Sequence, residues 1–574
     1  MSEKNSQTSD EDRTETSKTV DPATLEVVRN AFVAAAEEMN ANLVRTSYSP
    51  NIKERRDCSC ALFNADGQMI AQAENMPVHL GAMPFSVAAA LEMYPPERLS
   101  PGDAILVNDP YHGGAHLPDF TLVSPIYHHG TLVAFAANRA HHADVGGSTP
   151  GSVAADTTEI YQEGVRIPPV KLYEDGDLNE EVERLVRANV RTPDERRGDL
   201  QAQQAANETA KTRIREVIKR HGLEEIRLLF DEILRYSERR MRSAIRELPS
   251  GEYRFEDRLD GDGINEDSVM IRAAVTVDDT SVTIDFTGTD EQVEGPINAV
   301  KAVTASACYY ALRCVTDPDI PPNAGCYRPI DINAPEGSVV NADPPAPVVG
   351  GNLETSQRTV DVVLGALANA GVEGVIAAGQ GTMNNVTFGG TDPRSGDAYT
   401  FYETQGGGFG GRAGKDGMDG VHVHMSNTMN TPAEVLERAY PLQIKRYEFR
   451  ENSAGHGEFR GGLGLRRDIV PIEHDASVSV LADRQKSRPY GLAGGQPGKP
   501  GETVLLDDEE EKRINGKTSL TIDAETVLSI RTPGGGGYGD PNDRNSDAVL
   551  DDLVNGKISI KNTREIYGIT LDNK

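Results

Sequence analysis

At 574 residues the chain can bury more than one core, and 89 acidic against 58 basic side chains leave a formal charge of -31, which disfavours nucleic acid and other polyanions as partners. Only 16 of the bases are lysine, an acid-rich and lysine-poor surface of the kind that stays soluble where high salt screens self-repulsion. Five cysteines, Cys58, Cys60, Cys308, Cys314 and Cys326, exclude a disulfide scaffold by number and spacing, and without a membrane-length apolar run or an apolar core in MSEKNSQTSDEDRTETSK the expectation is a soluble, cytoplasmic protein.

Residues 1–20 are polar and charged without apolar periodicity, which predicts a disordered acidic tail. Asp21 can then cap, and Pro22 open, a helix in which Leu25, Val28, Phe32, Met39 and Leu43 recur at helical spacing. SCALFNADGQMIAQ follows as a strand, an Asp66-Gly67 turn and a second strand. Asp57 sits near the base of that hairpin and is a candidate metal ligand.

The next segments carry the chemistry. NDPYHGGAHLPDF, Asn108 to Phe120, and NRAHHADVGG, Asn138 to Gly147, hold four of the twelve histidines beside three carboxylates. Imidazole nitrogen and carboxylate oxygen are the ligands that Zn2+ or Mn2+ takes, and His116, Asp119 and His141 supply both kinds. LVAFAA, Leu132 to Ala137, reads as a buried strand that delivers His141 just past its end. On an extended backbone His141 and His142 point to opposite faces, and His142 then shares a face with Asp144. A turn after Ala140 brings His141 and Asp144 together instead, and both geometries remain open at this point. Gly113-Gly114 and Gly146-Gly147 allow tight turns around such a site. The competing reading is a set of solvated loop histidines.

A long helical stretch is predicted from about Pro193 to Leu248, broken at Gly222. From Gly251 the pattern changes to β alternation, which places a domain boundary near Ser250. Helices are expected through Ala299 to Val315 and through Gln357 to Ala370. QGGGFGGR, Gln405 to Arg412, loosely resembles a phosphate cradle, but no P-loop signature follows it. Short strands and glycine turns fill Gly457 to Asp540, ending in RTPGGGGYGDP, with DDEEEKR, Asp507 to Arg513, as an exposed acidic loop and a short helix near Val549 to Leu553. Helices and strands in blocks give an α+β, multidomain expectation: an N-terminal metal-site domain over 21–250, an α/β middle domain over 251–456 and a β-rich region over 457–574.

SPNIKERRDCSCALF, NDPYHGGAHLPD, NRAHHADVGG, ETQGGGFGGR, GHGEFRGGLG and RTPGGGGYGDP, in that order, resemble the hydantoinase B/5-oxoprolinase family from about Asp21 to Gly568. The resemblance implies a cytoplasmic complex with a hydantoinase A-type subunit that binds ATP, assembled as a heterotetramer. It also implies a divalent metal, Zn or Mn, on His116, Asp119 and His141, with Asp57 and Asp144 as further matching positions; for the proton transfer that such a reaction needs, Asp144 or the unused His142 is the expected carrier. The implied reaction is ATP-dependent opening of a cyclic amide or imide whose carbonyl oxygen the partner has phosphorylated. Two alternatives stand beside it: an acetone-carboxylase-like subunit for ketone carboxylation, and a non-catalytic scaffold of the ATPase subunit.

Overall fold

Asp21 accepts a hydrogen bond from Thr24 N at 3.0 Å and Pro22 takes the first turn, so helix α1 (Pro22–Thr46) starts where the cap and proline predict. A single turn, α2 (Pro50–Lys53), then leads into the first sheet. The structure is a computed structural model that describes residues 20–73, 75–507 and 510–570; all of the expected acidic tail but Val20 lies outside that range.

Seven antiparallel strands make the first sheet: β1 (Cys58–Asn64), β2 (Met69–Gln72), β3 (Ala104–Val107), β4 (Asp119–His128), β5 (Thr131–His141), β6 (Val170–Glu174) and β7 (Asp177–Leu178). Their order is β2-β1-β5-β4-β3-β6-β7. Helix α3 (Pro77–Met93) covers one face. After α4 (Glu180–Ala188), the long helix α5 (Pro193–His221) packs with α1 on the other face, and Gly222, at φ 87°, separates it from α6 (Leu223–Ile245). Alternation along the strands sorts the side chains. Cys58, Cys60, Leu62, Ala136 and Ala140 face α1 and α5, whereas Ala61, Phe63, Phe135 and Ala137 face α3.

A second sheet, of Gly251–Leu259, Val269–Asp278, Ser281–Asp285 and Ile330–Asn333, packs against helices α7 (Lys301–Val315) and α9 (Ser356–Asn369), with the short α8 (Ala324–Tyr327) between them in sequence. A π-helical turn, Gly351–Thr355, feeds directly into α9. The change from helix to strand falls at the expected boundary near Ser250, yet one apolar core runs from Val78 through Ile245 and Leu364 to Leu481. The division at 456 is crossed by two sheets. Asn385–Thr391 pairs with Ala476–Leu481, and Leu442–Phe449 pairs with Leu465–Pro471. Such non-local pairing leaves no mark on local texture, so the middle and C-terminal regions interlock. The acidic loop is also shorter than expected, because Glu511–Ile514 is a strand.

The glycine-rich segments form neither a cradle nor simple turns. Gly408 N donates to Pro533 O at 3.0 Å, Gly411 N to Gly536 O at 2.9 Å, Gly535 N to Gly462 O at 3.0 Å and Gly455 N to Gly535 O at 2.8 Å. A Cβ on Gly535 would lie 2.2 Å from Phe409 O, and one on Gly462 only 1.8 Å from Met418 O. Neither residue has a left-handed φ, so close backbone approach, rather than conformational freedom, demands glycine here. These N–H groups are spent on carbonyls, so the loose likeness of QGGGFGGR to a phosphate cradle does not extend to its backbone donors. Among the described residues no helix is long and apolar enough to cross a membrane.

Candidate metal centre

Strand register assembles the centre. Asp119 opens β4 directly opposite His141, which ends β5. Cys58 pairs with Ala140, and His141 N donates to Asp57 O at 3.0 Å, so Asp57 lies alongside. Alternation then turns Asp57, Asp119 and His141 toward α3 and turns Asn138 and His142 toward α5. The motif SPNIKERRD supports this corner: Asn51 Nδ2 donates to His141 O at 2.6 Å, and Arg55 donates to Asn51 Oδ1 and to Thr404 Oγ1.

His116 arrives from the loop before β4. Gly113, at φ 85°, turns that loop, and a Cβ on Gly114 would lie 2.3 Å from Asn108 O. Asn108 clamps it by donating to Leu117 O at 2.7 Å and accepting from Ile167 N at 2.6 Å. One ligand atom from each of His116, Asp119 and His141 lies within 4.8 Å of the others, and all three residues are buried. Solvated loop histidines they are not.

Proton positions test whether a cation fits. His116 Nδ1 lies 3.3 Å from Val349 O, a carbonyl that can only accept, so Nδ1 carries the hydrogen and Nε2 presents a lone pair. That lone pair faces Asp119 Oδ1 at 3.0 Å, and His141 Nδ1 faces the same oxygen at 3.2 Å. Two electron-rich atoms at that separation suit a shared cation, and the donor set suits Zn2+ or Mn2+.

His79, on α3, is the residue the sequence reading missed. Its Nε2 lies 3.3 Å from Asp119 Oδ2 and 3.7 Å from Asp57 Oδ1, and its Nδ1 is 3.4 Å from Ser59 Oγ. A lone histidine in the apolar run PVHLGAMPF reads as core, and nothing local marks it otherwise. Asn352 and Tyr402 come from more distant segments. Asn352 Nδ2 is 3.1 Å from His116 Nε2, and the Tyr402 ring stacks on His141 at 4.6 Å.

His142 and Asp144, expected to move a proton, are held elsewhere. The backbone stays extended through His141, so the His142 ring points to the α5 face, 4.4 Å from Phe120, with Nε2 3.0 Å from Gln203 Oε1. Asp144 accepts from Gly146 N, Gly151 N and Arg191 N at 3.1, 3.1 and 3.0 Å and pairs with Arg191 Nη1 at 3.0 Å. It shapes the turn after β5, where Gly146 and Gly147 adopt φ of 90° and 84°.

Residues 21–541 match the family model described as hydantoinase B/oxoprolinase. The chain belongs to the hydantoinase B/oxoprolinase family. This family member is 35% identical over 573 residues to the B-type subunit of a putative D-/L-hydantoinase of Pseudomonas sp. (strain NS671), with 96% of each chain covered. It is 39% identical over 542 residues to 5-oxoprolinase 1 of Arabidopsis thaliana, a match that takes in 90% of this chain but only 42% of that relative. Among solved structures, the ATP-dependent caprolactamase from Pseudomonas jessenii superposes with a TM-score of 0.90 at 32% identity over 97% of both chains. Acetone carboxylase superposes with a TM-score of 0.89 over 96% of this chain and 80% of its own, at 19% identity, which is a likeness of fold.

Two outcomes follow from how this family member holds its site. Glu163 accepts from Val348 N at 3.1 Å and Val349 N at 3.0 Å, and so fixes the carbonyl that orients His116. Glu163→Ala is expected to weaken divalent-metal affinity about 10- to 100-fold in a competition titration, with function recovered at excess metal. His142 supplies a pH effect: burial, then the nearby Arg196 charge, push its ring down from 6.5 to about 4. The folded state therefore binds fewer protons than the unfolded state between those values. Stability present above pH 6.5 is lost as pH falls toward about 4, by roughly 1.4 kcal/mol per pH unit from this ring. Urea unfolding across that range should show a shallower pH slope in His142→Gln.

Proposed function

We propose that this chain is the metal-holding subunit of an ATP-dependent hydrolase of cyclic amides or imides, acting with a hydantoinase A-type subunit that binds ATP. Family membership, the hydantoinase and 5-oxoprolinase relatives and the caprolactamase fold support the reaction class. The single observation that carries a catalytic reading is the buried juxtaposition of His116, Asp119 and His141. A scaffold gains nothing from desolvating two carboxylates and three imidazoles at one point, whereas a reaction centre does.

A lactam or imide carbonyl is a poor electrophile, and opening the ring can be uphill. Phosphorylation of its oxygen by the partner creates a leaving group and couples the step to ATP. His116, Asp119 and His141 would hold a divalent Zn or Mn ion, with Asp57 as the adjoining carboxylate. Bound there, such an ion supplies Lewis-acid stabilisation of negative charge and makes water a better nucleophile at neutral pH. The chain's own residues do the rest. His79 Nε2, within 3.3 Å of Asp119 and 3.7 Å of Asp57, is placed to hold the proton that an attacking water gives up. Tyr402 stacks on the His141 ring, Val349 O orients the His116 ring, and the buried walls exclude bulk water.

The test is an assay of the purified two-subunit complex, in the proposed heterotetramer, on hydantoin, 5-oxoproline and simple lactams. Ring opening coupled one-to-one to ADP formation is the expected result. Ring opening that proceeds without ATP, or ATP-dependent ketone carboxylation with no ring opening, would refute the proposal.

A further inference from the structure

Helices α3 and α7 touch where both carry small side chains. Ser306 Oγ, on α7, donates to Pro77 O at 2.8 Å and to Val78 O at 3.1 Å, and a Cβ on Gly81 would lie 2.3 Å from that hydroxyl. Over the next two turns of α7, Tyr309, Tyr310 and Arg313 replace small residues, and a cleft of about 450 Å3 opens, lined also by Gln72 of β2 and Tyr327 of α8. From α3 the cleft takes Pro77, Leu80 and Gly81, whereas His79 turns to Asp119 on the side of the sheet. The cleft and the metal centre therefore occupy different faces of one helix.

The chemistry of the lining is unusual for so acidic a chain. Of 89 acidic side chains in the sequence, none belongs to the described residues that line this cleft, and its one cation is Arg313. Arg313 Nη1 donates to Ile320 O at 3.0 Å, a neutral partner, and among the described residues no carboxylate is within ion-pair distance of it. Asp317, the acid nearest to it in sequence, is paired with Arg240 instead. Gln72 is the second uncommitted group. It is only 7% exposed, its Oε1 is enclosed, and nothing among the described residues hydrogen-bonds its side-chain amide. A buried amide in that state costs about 1–3 kcal/mol unless something hydrogen-bonds it. The walls are flat and aromatic: Tyr309 stacks on Tyr327 with ring centroids 4.1 Å apart, and Tyr310 stands beside them.

We infer that the cleft between α3 and α7 binds a small cyclic amide that bears a carboxylate, at a place apart from the metal centre. Arg313 supplies the planar guanidinium that a carboxylate pairs with. Gln72 offers an N–H and a C=O, the complement of the C=O and N–H on the edge of a cyclic amide. The tyrosine rings cover the flat faces of the ligand. A ring without the carboxylate leaves Arg313 unpaired, and an acid without the ring amide leaves Gln72 unpaired, so the cleft selects for both groups together. Its volume falls within the roughly 300–1,000 Å3 usual for small-molecule sites. The inference goes beyond the ring-opening proposal, because this site uses neither the metal nor the partner subunit.

Calorimetric titration of the full chain tests it with three probes: 5-oxoproline, pyrrolidinone, which lacks the carboxylate, and cyclopentanecarboxylate, which lacks the amide. 5-Oxoproline is expected to bind at least about tenfold more tightly than either analogue. Arg313→Met and Gln72→Leu should each weaken its binding about tenfold at the parent's unfolding temperature, and either variant suffices if the other does not fold. Folded His116→Ala should bind it as the parent does, since the metal centre is not used. No binding of 5-oxoproline, equal affinity for either analogue, undiminished binding in the folded cleft variants, or loss of binding in folded His116→Ala would overturn the site. Ring opening by the complex separates the two levels. If the complex opens no ring while the chain binds 5-oxoproline through Arg313, the functional proposal falls and this site stands; if the complex opens rings while the three probes bind alike, this site alone falls.

Discussion

Asp119→Asn is expected to lower kcat/KM for ATP-dependent ring opening by about three orders of magnitude, near 4 kcal/mol of lost transition-state stabilisation. The side chain keeps its size, so the cause is charge. In the parent, Oδ1 faces His116 Nε2 at 3.0 Å and His141 Nδ1 at 3.2 Å, while Oδ2 faces His79 Nε2 at 3.3 Å. An amide oxygen replaces one of these contacts weakly, and an amide N–H turns a donor toward the other. With the carboxylate gone, three imidazoles crowd a buried site that has lost its central negative charge. Steady-state rates of the complex, measured at saturating metal, check the result. Retention of more than about a tenth of parent activity would show that Asp119 is not central to the chemistry.

Gly535→Ala is expected to give the largest loss of stability, at least about 3 kcal/mol, because the new methyl would overlap fixed backbone atoms. Its nearest neighbours would be Phe409 O at 2.2 Å, Phe409 C at 2.5 Å and Gly410 N at 2.9 Å. None of these is the end of a flexible side chain, so relief requires pulling apart hydrogen-bonded segments that come from three places in the chain. Gly176→Ala is the control. That residue has φ of 96° but nothing within 4 Å of a Cβ, so it carries only left-handed backbone strain, about 1 kcal/mol. Comparing urea unfolding of the two variants separates interlocked backbone from ordinary turn strain, and equal losses would contradict the packing account.

Much of the N-terminal half is legible in the residues. The cap and proline at Asp21-Pro22, the Asp66-Gly67 hairpin and the break at Gly222 are local signals with local outcomes. His116, Asp119 and His141 were within reach for a related reason: His116 and Asp119 share one short motif, and β4 and β5 are neighbouring strands of one antiparallel pair. His142 was harder. Alternation showed that it and His141 point apart, but only the packing of α5, through Gln203, decides which of the two faces the centre. His79 and Asn352 carry no local signature, since each is a polar residue in a segment joined to the site by tertiary packing alone. The glycine segments mislead in a different way. Their composition signals permissive backbone, whereas their structural role is to let chain segments some 50 to 125 residues apart touch at the backbone, as Phe409, Gly462 and Gly535 do.

Metal analysis of the dialysed, full-length chain tests the central claim most directly. The account predicts about one tightly held divalent ion per parent chain, and less than about a tenth of that in His116→Ala and His141→Ala, both still folded by circular dichroism. Equal metal content in parent and variants, or none in a folded and active parent, would contradict it.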